Sequence, residues 1–138
     1  MEKHIISKLL TWYTKSKRDL PWRLLQKNRL PNPYYVFVSE YMLQQTTVST
    51  VKIRFEEFIK TWPTLKDLAK TTEPTILKFW SGLGYYSRAR NLLKAAKIID
   101  KNFDSKIPKE YDELISLPGI GDYTAKAIMG IGYNQSVM

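Results

Sequence analysis

The chain has 138 residues, one domain's worth, with 22 Lys and Arg against 13 Asp and Glu and a formal charge of +9. That excess points to a polyanionic partner, nucleic acid before any other, with a merely soluble basic protein as the competing reading. The absence of cysteine excludes disulfides and thiolate-held metal, the single His4 argues against a histidine metal site, and no run of about 18 apolar residues suggests a membrane partner. No signal peptide precedes the first charged helix, so a cytoplasmic location is expected.

In chain order, residues 4 to 15 read as a helix, with Ile5, Ile6, Leu9, Leu10 and Tyr13 spaced along one face. Arg18-Asp19-Leu20-Pro21-Trp22-Arg23 breaks it, and the polar stretch Gln26 to Asn32, closed by Pro31 and Pro33, reads as a loop. A helix from Tyr34 to about Gln45 follows. Thr47 can cap the next, which carries Val48, Val51, Phe55, Phe58 and Trp62 and stops at Pro63. Thr64, with Asp67 at the capping-box position, can cap a short helix holding Leu65, Leu68 and Ala69. Thr72-Glu73-Pro74 opens another with Ile76, Leu77 and Trp80. After a Gly82-Leu83-Gly84 turn, Tyr85 to Ile99 forms a helix expected to bury Tyr86, Ala89, Leu93 and Ala96 and to hold Arg88, Arg90, Lys94 and Lys97 outside. No segment alternates with period two, so the expected class is all-α.

The stretch Leu117-Pro118-Gly119-Ile120-Gly121-Asp122-Tyr123-Thr124-Ala125 lies between two short apolar helices. Its glycines permit a tight reversal at positive φ and leave backbone N–H groups open to an anion. Asp122 is placed to cap the outgoing helix, whose first N–H groups favour a phosphate. The stretch looks like a helix-hairpin-helix element gripping a nucleic-acid strand through Gly119 and Gly121, although glycines at a helix–helix turn also serve purely structural ends.

Three further groups have chemical potential. Val36, Glu40 and Leu43 share a helical stripe, which would desolvate the Glu40 carboxylate and suit it to act as an acid near neutral pH. The alternative is a boundary glutamate whose head reaches solvent. Gln44, Gln45, Thr46 and Thr47 end the same helix, and their amides can bond base edges or fill a gap in a base stack, or can simply be a polar helix terminus. Tyr85 follows the glycine turn beside Arg88 and Arg90, so its ring can stack on a base while the arginines meet phosphates; a buried aromatic at a helix start is the competing reading.

Taken together, Leu20-Pro21-Trp22-Arg23, Ser39-Glu40-Tyr41-Met42-Leu43-Gln44-Gln45-Thr46, Gly82-Leu83-Gly84-Tyr85-Tyr86-Ser87-Arg88-Ala89-Arg90-Asn91 and Leu117 to Ala125 occur in an order and spacing that closely resembles the A/G-specific adenine DNA glycosylases, the MutY type of the helix-hairpin-helix glycosylase superfamily. In the related endonuclease III branch a catalytic lysine follows the hairpin where this chain has Tyr123, which favours a monofunctional adenine glycosylase over a lyase.

The resemblance implies an all-α helix-hairpin-helix glycosylase fold. Residues 1–28 would form a helix and loop that pack on an iron–sulfur cluster domain, and residues 29–138 a six-helix barrel with the hairpin at 109–132. It implies that Glu40 protonates the purine ring of the departing adenine. Gln45, next to Gln44, would enter the base stack as adenine is flipped out, and Tyr123 would stand beside the catalytic carboxylates. Tyr85 would wedge beside the opposing 8-oxoguanine, while Trp22, Arg23, Leu43 and Val48 line the adenine pocket. Gly119 and Gly121 would clamp a phosphate, with Arg88 and Arg90 as further phosphate contacts. The implied partner is double-stranded DNA carrying adenine:8-oxoguanine or adenine:guanine mispairs, met by a monomer in the bacterial cytoplasm.

Two departures accompany the resemblance. The segment between Arg23 and Pro33 is longer than usual, and the aspartate that supplies the second carboxylate would fall just beyond Met138. The family's 4Fe-4S cluster is held by cysteines that this chain lacks, so no cofactor is expected within it. A non-enzymatic DNA-binding remnant is the rival reading, and an endonuclease III-type enzyme the third. The truncation further implies little glycosylase activity for the chain by itself.

Overall fold

The computed structural model describes residues 32–44 and 46–133. The expected first helix at residues 4–15, together with Trp22, Arg23 and Gln45, lies outside the described residues. Within them the chain forms helices α1 (Pro33–Leu43), α2 (Val48–Thr61), α3 (Leu65–Ala69), α4 (Glu73–Trp80), α5 (Tyr86–Asn102), α6 (Tyr111–Ile115) and α7 (Asp122–Ala127). A π-helical turn, Ile128–Gly132, continues α7, and there is no strand among the described residues.

Local chemistry explains the boundaries. The Asn32 side chain accepts from the Tyr34 N–H at 2.9 Å, and Pro33 occupies the first helical position, where its missing N–H costs nothing. Thr47 caps α2, its hydroxyl accepting from the Thr50 N–H. Thr64 caps α3 by accepting from the Asp67 N–H at 3.2 Å and donating its hydroxyl to the Asp67 carboxylate at 2.8 Å. The expected capping box thus closes through the hydroxyl rather than through the backbone.

α1 is the axis of the domain. Tyr34, Val36, Phe37, Val38, Ser39, Glu40, Tyr41 and Met42 are all buried, so every face of the helix is covered. A helix apolar all round belongs in a core rather than on a surface. It packs against α2, α5 and the π-helical turn, while α3 and α4 pack on α5. Phe58, Trp62 and Phe79 join α2 to α4 through ring contacts 4.8 to 5.5 Å apart. Full burial of side chains such as Phe37, Phe55 and Trp80 contributes about 1.5–3 kcal/mol each.

Three local expectations are corrected. Tyr86 is 42% exposed rather than buried, because it opens α5 and its turn stands at the rim of the core. Asp122 is not the cap of α7: Gly121 holds that position, with extended backbone, and Asp122 is the first helical residue. Arg88 is not on the outer face of α5 but inside the protein, 6% exposed.

Candidate functional site

The site is built around the C-terminal end of α1. Glu40 is 8% exposed, on the central helix and three residues from its end. The last carbonyls of any helix lack intrahelical donors, and here they point into the protein, where an unpaired carbonyl is costly.

Arg88 supplies the donors. Its Nη1 donates to the carbonyls of Tyr41 (3.3 Å), Met42 (2.8 Å) and Gln44, and its Nη2 donates to those of Leu83 and Gly84, both at 3.2 Å. One guanidinium therefore joins the end of the Glu40 helix to the Gly82-Leu83-Gly84 turn. Burial lowers the Arg88 pKa from its ordinary value, with the Tyr85 phenol acting in the opposite direction. The guanidinium remains the charged form, and a cation at a helix C-terminus also meets the negative end of the helix dipole. Arg88, expected as a phosphate contact, directs these hydrogen bonds to the protein's own backbone. Arg90 is exposed and lies 3.6 Å from a Glu73 carboxylate oxygen.

The turn that Arg88 holds presents Tyr85. Gly82 and Gly84 have φ of +92° and +72°, conformations that glycine takes without steric cost. Tyr85 itself is left-handed at φ 50°, ψ 58°, which costs a non-glycine residue about 1–2 kcal/mol. Its ring is 58% exposed, with the Arg88 guanidinium 5.4 Å from its centroid on one side. A large aromatic held out in a strained backbone has its position determined by its neighbours.

The hairpin is fastened to the same helix end. The Tyr41 phenol donates to the Pro118 carbonyl, and the Gln44 amide approaches the Gly119 carbonyl at 3.4 Å. Gly119 has φ +81°, and a Cβ there would lie 3.0 Å from Asn91 Cβ and 3.1 Å from Tyr41 Cε1. That glycine is required twice over, for its φ and for the close approach of α1 and α5. Gly121 differs: its φ of −101° suits any residue, and no atom lies within 4 Å of a Cβ placed there. The expectation of positive φ thus holds at Gly119 and is corrected at Gly121, whose bareness leaves open space at the start of α7. Asp122, freed from capping, accepts from the Tyr111 phenol at 2.7 Å and pairs with Lys126 at 3.3 Å, closing α6 onto α7. Tyr123 follows, 77% exposed.

A bonded chain therefore runs from Tyr85 through Arg88 to Gln44 and on to the hairpin. It passes the end of the buried carboxylate-bearing helix, where Leu43 and Gln44 are half-buried; Val48 at the start of α2 and Tyr123 after the hairpin are exposed. Arg88 shares the spacing of Leu92, Ala95 and Ile99, and Arg54 that of Val51, Phe55 and Phe58. An arginine on an apolar stripe was the signal available for both, and only its chemistry concealed it. Among the described residues no cluster of His, Asp or Glu could hold a metal ion, and a chain without cysteine offers no ligands to the iron–sulfur cluster that the resemblance associates with the family.

An all-α domain with a glycine hairpin docked beside a buried helical carboxylate is the architecture of a helix-hairpin-helix DNA glycosylase. Residues 38–138 match the HhH-GPD superfamily of base excision DNA repair proteins, and the chain belongs to that superfamily. It is similar to the adenine DNA glycosylase of Buchnera aphidicola subsp. Baizongia pistaciae, 45% identical over 127 residues covering 91% of this chain and 35% of that protein. It is also similar to the adenine DNA glycosylase of Mus musculus, 44% identical over 133 residues, 94% of this chain and 26% of that one. The chain thus spans about a third or less of these relatives. Among solved structures it resembles a thermostable thymine-DNA glycosylase (TM-score 0.77, 27% identity, 97% of this chain and 60% of that chain). It shares its fold with endonuclease III in a non-covalent DNA complex (TM-score 0.71, 22% identity, 96% and 60%).

Proposed function

We propose that this chain carries the base-releasing part of an adenine DNA glycosylase, acting as a monomer in the bacterial cytoplasm on duplex DNA with adenine opposite 8-oxoguanine or guanine. Its barrel, in this reading, includes the described residues 32–44 and 46–133. The observation that carries this reading is the burial of Glu40 on a central helix whose end is bonded to both the Tyr85 turn and the hairpin.

In this mechanism Gly119 and Gly121 let backbone N–H groups reach a phosphate of one strand. Tyr85 and Gln45 occupy the stack as adenine swings out, offsetting an unstacking cost of a few kcal/mol. Trp22, Arg23, Leu43 and Val48 surround the extruded base. Glu40 gives its proton to a ring nitrogen of adenine, and the bond from the sugar C1′ breaks with its electron pair going to the base. Water adds to the oxocarbenium carbon and loses a proton, so the balance is a hydrolysis. Tyr123 stands beside the reacting sugar.

The second reading, DNA binding without chemistry, is favoured by the +9 formal charge and the glycine hairpin, which serve strand binding whether or not a base is released. A chimera in which this chain replaces the matching segment of the Buchnera relative separates the two readings. Single-turnover release of adenine from an adenine:8-oxoguanine duplex, abolished by Glu40→Gln with duplex affinity retained, is expected. Near-normal release by Glu40→Gln would remove Glu40 from the acid role.

A further inference from the structure

We propose that Arg54 is a positioning residue for Tyr85: with Arg88 it holds the Phe79–Tyr85 segment in its final shape before any DNA arrives, and so sets how well the chain separates a mispair from a matched pair. The second half of this statement rests on the reading of Tyr85 as a wedge; the first does not.

Arg54 comes from α2 and bonds the first half of the turn. Its Nη1 donates to the Ser81 carbonyl at 3.2 Å, its Nη2 donates to the Phe79 carbonyl, and its guanidinium carbon lies 4.9 Å from the centroid of the Phe79 ring. Arg88, from α5, takes the Leu83 and Gly84 carbonyls, and the Trp80 indole donates to Gly84 at 3.1 Å. Leu83 N–H donates to Trp80 and Arg88 N–H to Tyr85, each at 3.0 Å. The carbonyls of Phe79, Trp80, Ser81, Leu83, Gly84 and Tyr85 are thus all engaged, and two guanidinium forks make four of these bonds.

Both forks leave their Nε buried without a hydrogen-bond partner, which buried polar atoms rarely tolerate. The orientation of each side chain therefore follows the turn's carbonyls, even where one donor is orphaned. The segment needs that hold. Gly82, Gly84 and Tyr85 all sit at positive φ, so an unrestrained chain would spend most of its time elsewhere. A binding element fixed in advance loses less conformational freedom on contact, and the gain appears as selectivity for the partner that fits.

The test uses Arg54→Lys, which keeps the charge and loses the fork, and Arg54→Met, which keeps only the stem. In the free protein, amide exchange at Leu83 and Arg88 is expected to accelerate about tenfold in Arg54→Met, less in Arg54→Lys, with the core amides of α1 and α5 unchanged. Unchanged exchange in the turn overturns the proposal, as does global unfolding of both variants, which would make Arg54 a determinant of the fold instead. In the second arm, the affinity ratio of adenine:8-oxoguanine duplex to matched duplex is measured in a double-mutant cycle with Tyr85→Ala. Arg54→Met is expected to lower the ratio several-fold in the parent and to change nothing once Tyr85 is gone. Additive effects overturn the coupling. A parent chain without any mispair preference defeats the glycosylase reading, and the exchange arm then decides the positioning role alone.

Discussion

Tyr41, the residue next to Glu40, donates its phenol to the carbonyl of Pro118, 77 residues away at the mouth of the hairpin. The element that would release the base and the element that would hold the strand are therefore neighbours through one hydrogen bond. Burial pushes the Tyr41 pKa well above its ordinary value, which keeps the phenol a donor throughout the accessible pH range.

Tyr41→Phe removes that bond while keeping the ring that packs at 5.2 Å from Phe37. A partly buried Pro118 carbonyl is left without its donor, at a cost of about 1–3 kcal/mol. The urea midpoint is expected to fall accordingly at constant slope. An unchanged midpoint would show that the phenol contributes nothing to docking the hairpin.

The two hairpin glycines are expected to respond differently. Gly119→Ala forces a side chain into left-handed backbone and against Asn91 and Tyr41, and should destabilise the fold by at least about 2 kcal/mol. Gly121→Ala meets no atom and an ordinary φ, so stability should change by less than about 1 kcal/mol. Its methyl group would nevertheless stand where a phosphate approaches, and duplex affinity should fall on the order of tenfold. Equal stability losses, or an unaltered affinity for Gly121→Ala, would contradict this division of roles.

Features set by short-range chemistry were legible in the sequence. Thr47 and Thr64 cap the helices that follow them, and Trp62 closes α2, because a cap depends on residues three or four apart. Glu40 on a stripe with Val36 was visible for the same reason, although the burial of α1 on every face was not, since that depends on α2, α5 and the π-helical turn closing round it. Arg88 was misplaced because periodicity counts an arginine as a surface residue, whereas five carbonyls from two distant segments make an interior site for it. Asp122 was misplaced by one residue: the hairpin ends at Gly121, and Tyr111, eleven residues back, claims the carboxylate.

That last contact makes a pH prediction. The Tyr111 phenol, and after it Lys126, hold the Asp122 carboxyl below the usual aspartate range, while the Asp122 carboxylate raises the Tyr111 phenol. A depressed folded pKa means that the Asp122 contribution is present above the unfolded value and is lost as pH falls through the folded one. A raised phenol works in the opposite sense, present below the unfolded tyrosine value and lost as pH rises through the folded one. The clasp of α6 on α7 should therefore hold across neutral pH and loosen at both extremes. Tyr111→Phe should raise the Asp122 carboxyl titration by NMR toward the ordinary range, with Lys126 still holding it somewhat down; a midpoint that does not rise would exclude the phenol as a cause.

Duplex binding is expected to be steeply salt-dependent, given the +9 formal charge and the hairpin. Phosphate contacts release counterions, so affinity should drop by a large factor between about 50 and 200 mM salt, with a log–log slope of about −0.9 for each phosphate engaged. Gly121→Ala should flatten that slope by about one contact. A flat dependence would speak against any phosphate clamp.

The last expectation concerns the chain by itself, which should bind duplex DNA yet release adenine slowly or not at all. Glu40 can protonate the base, but the departing sugar develops positive charge, and stabilising it calls for a second, ionised carboxylate. No acidic residue lies between Tyr123 and Met138. Asp122 is already committed to Tyr111 and Lys126 at the start of α7. Loss of one positioned group that stabilises developing charge costs about a hundredfold to a thousandfold in rate. Binding and chemistry should thus come apart in the 138-residue chain. Single-turnover assays on an adenine:8-oxoguanine duplex decide the matter: rapid release by the purified chain would mean that Glu40 and Tyr123 suffice, and that the cation needs no second carboxylate here.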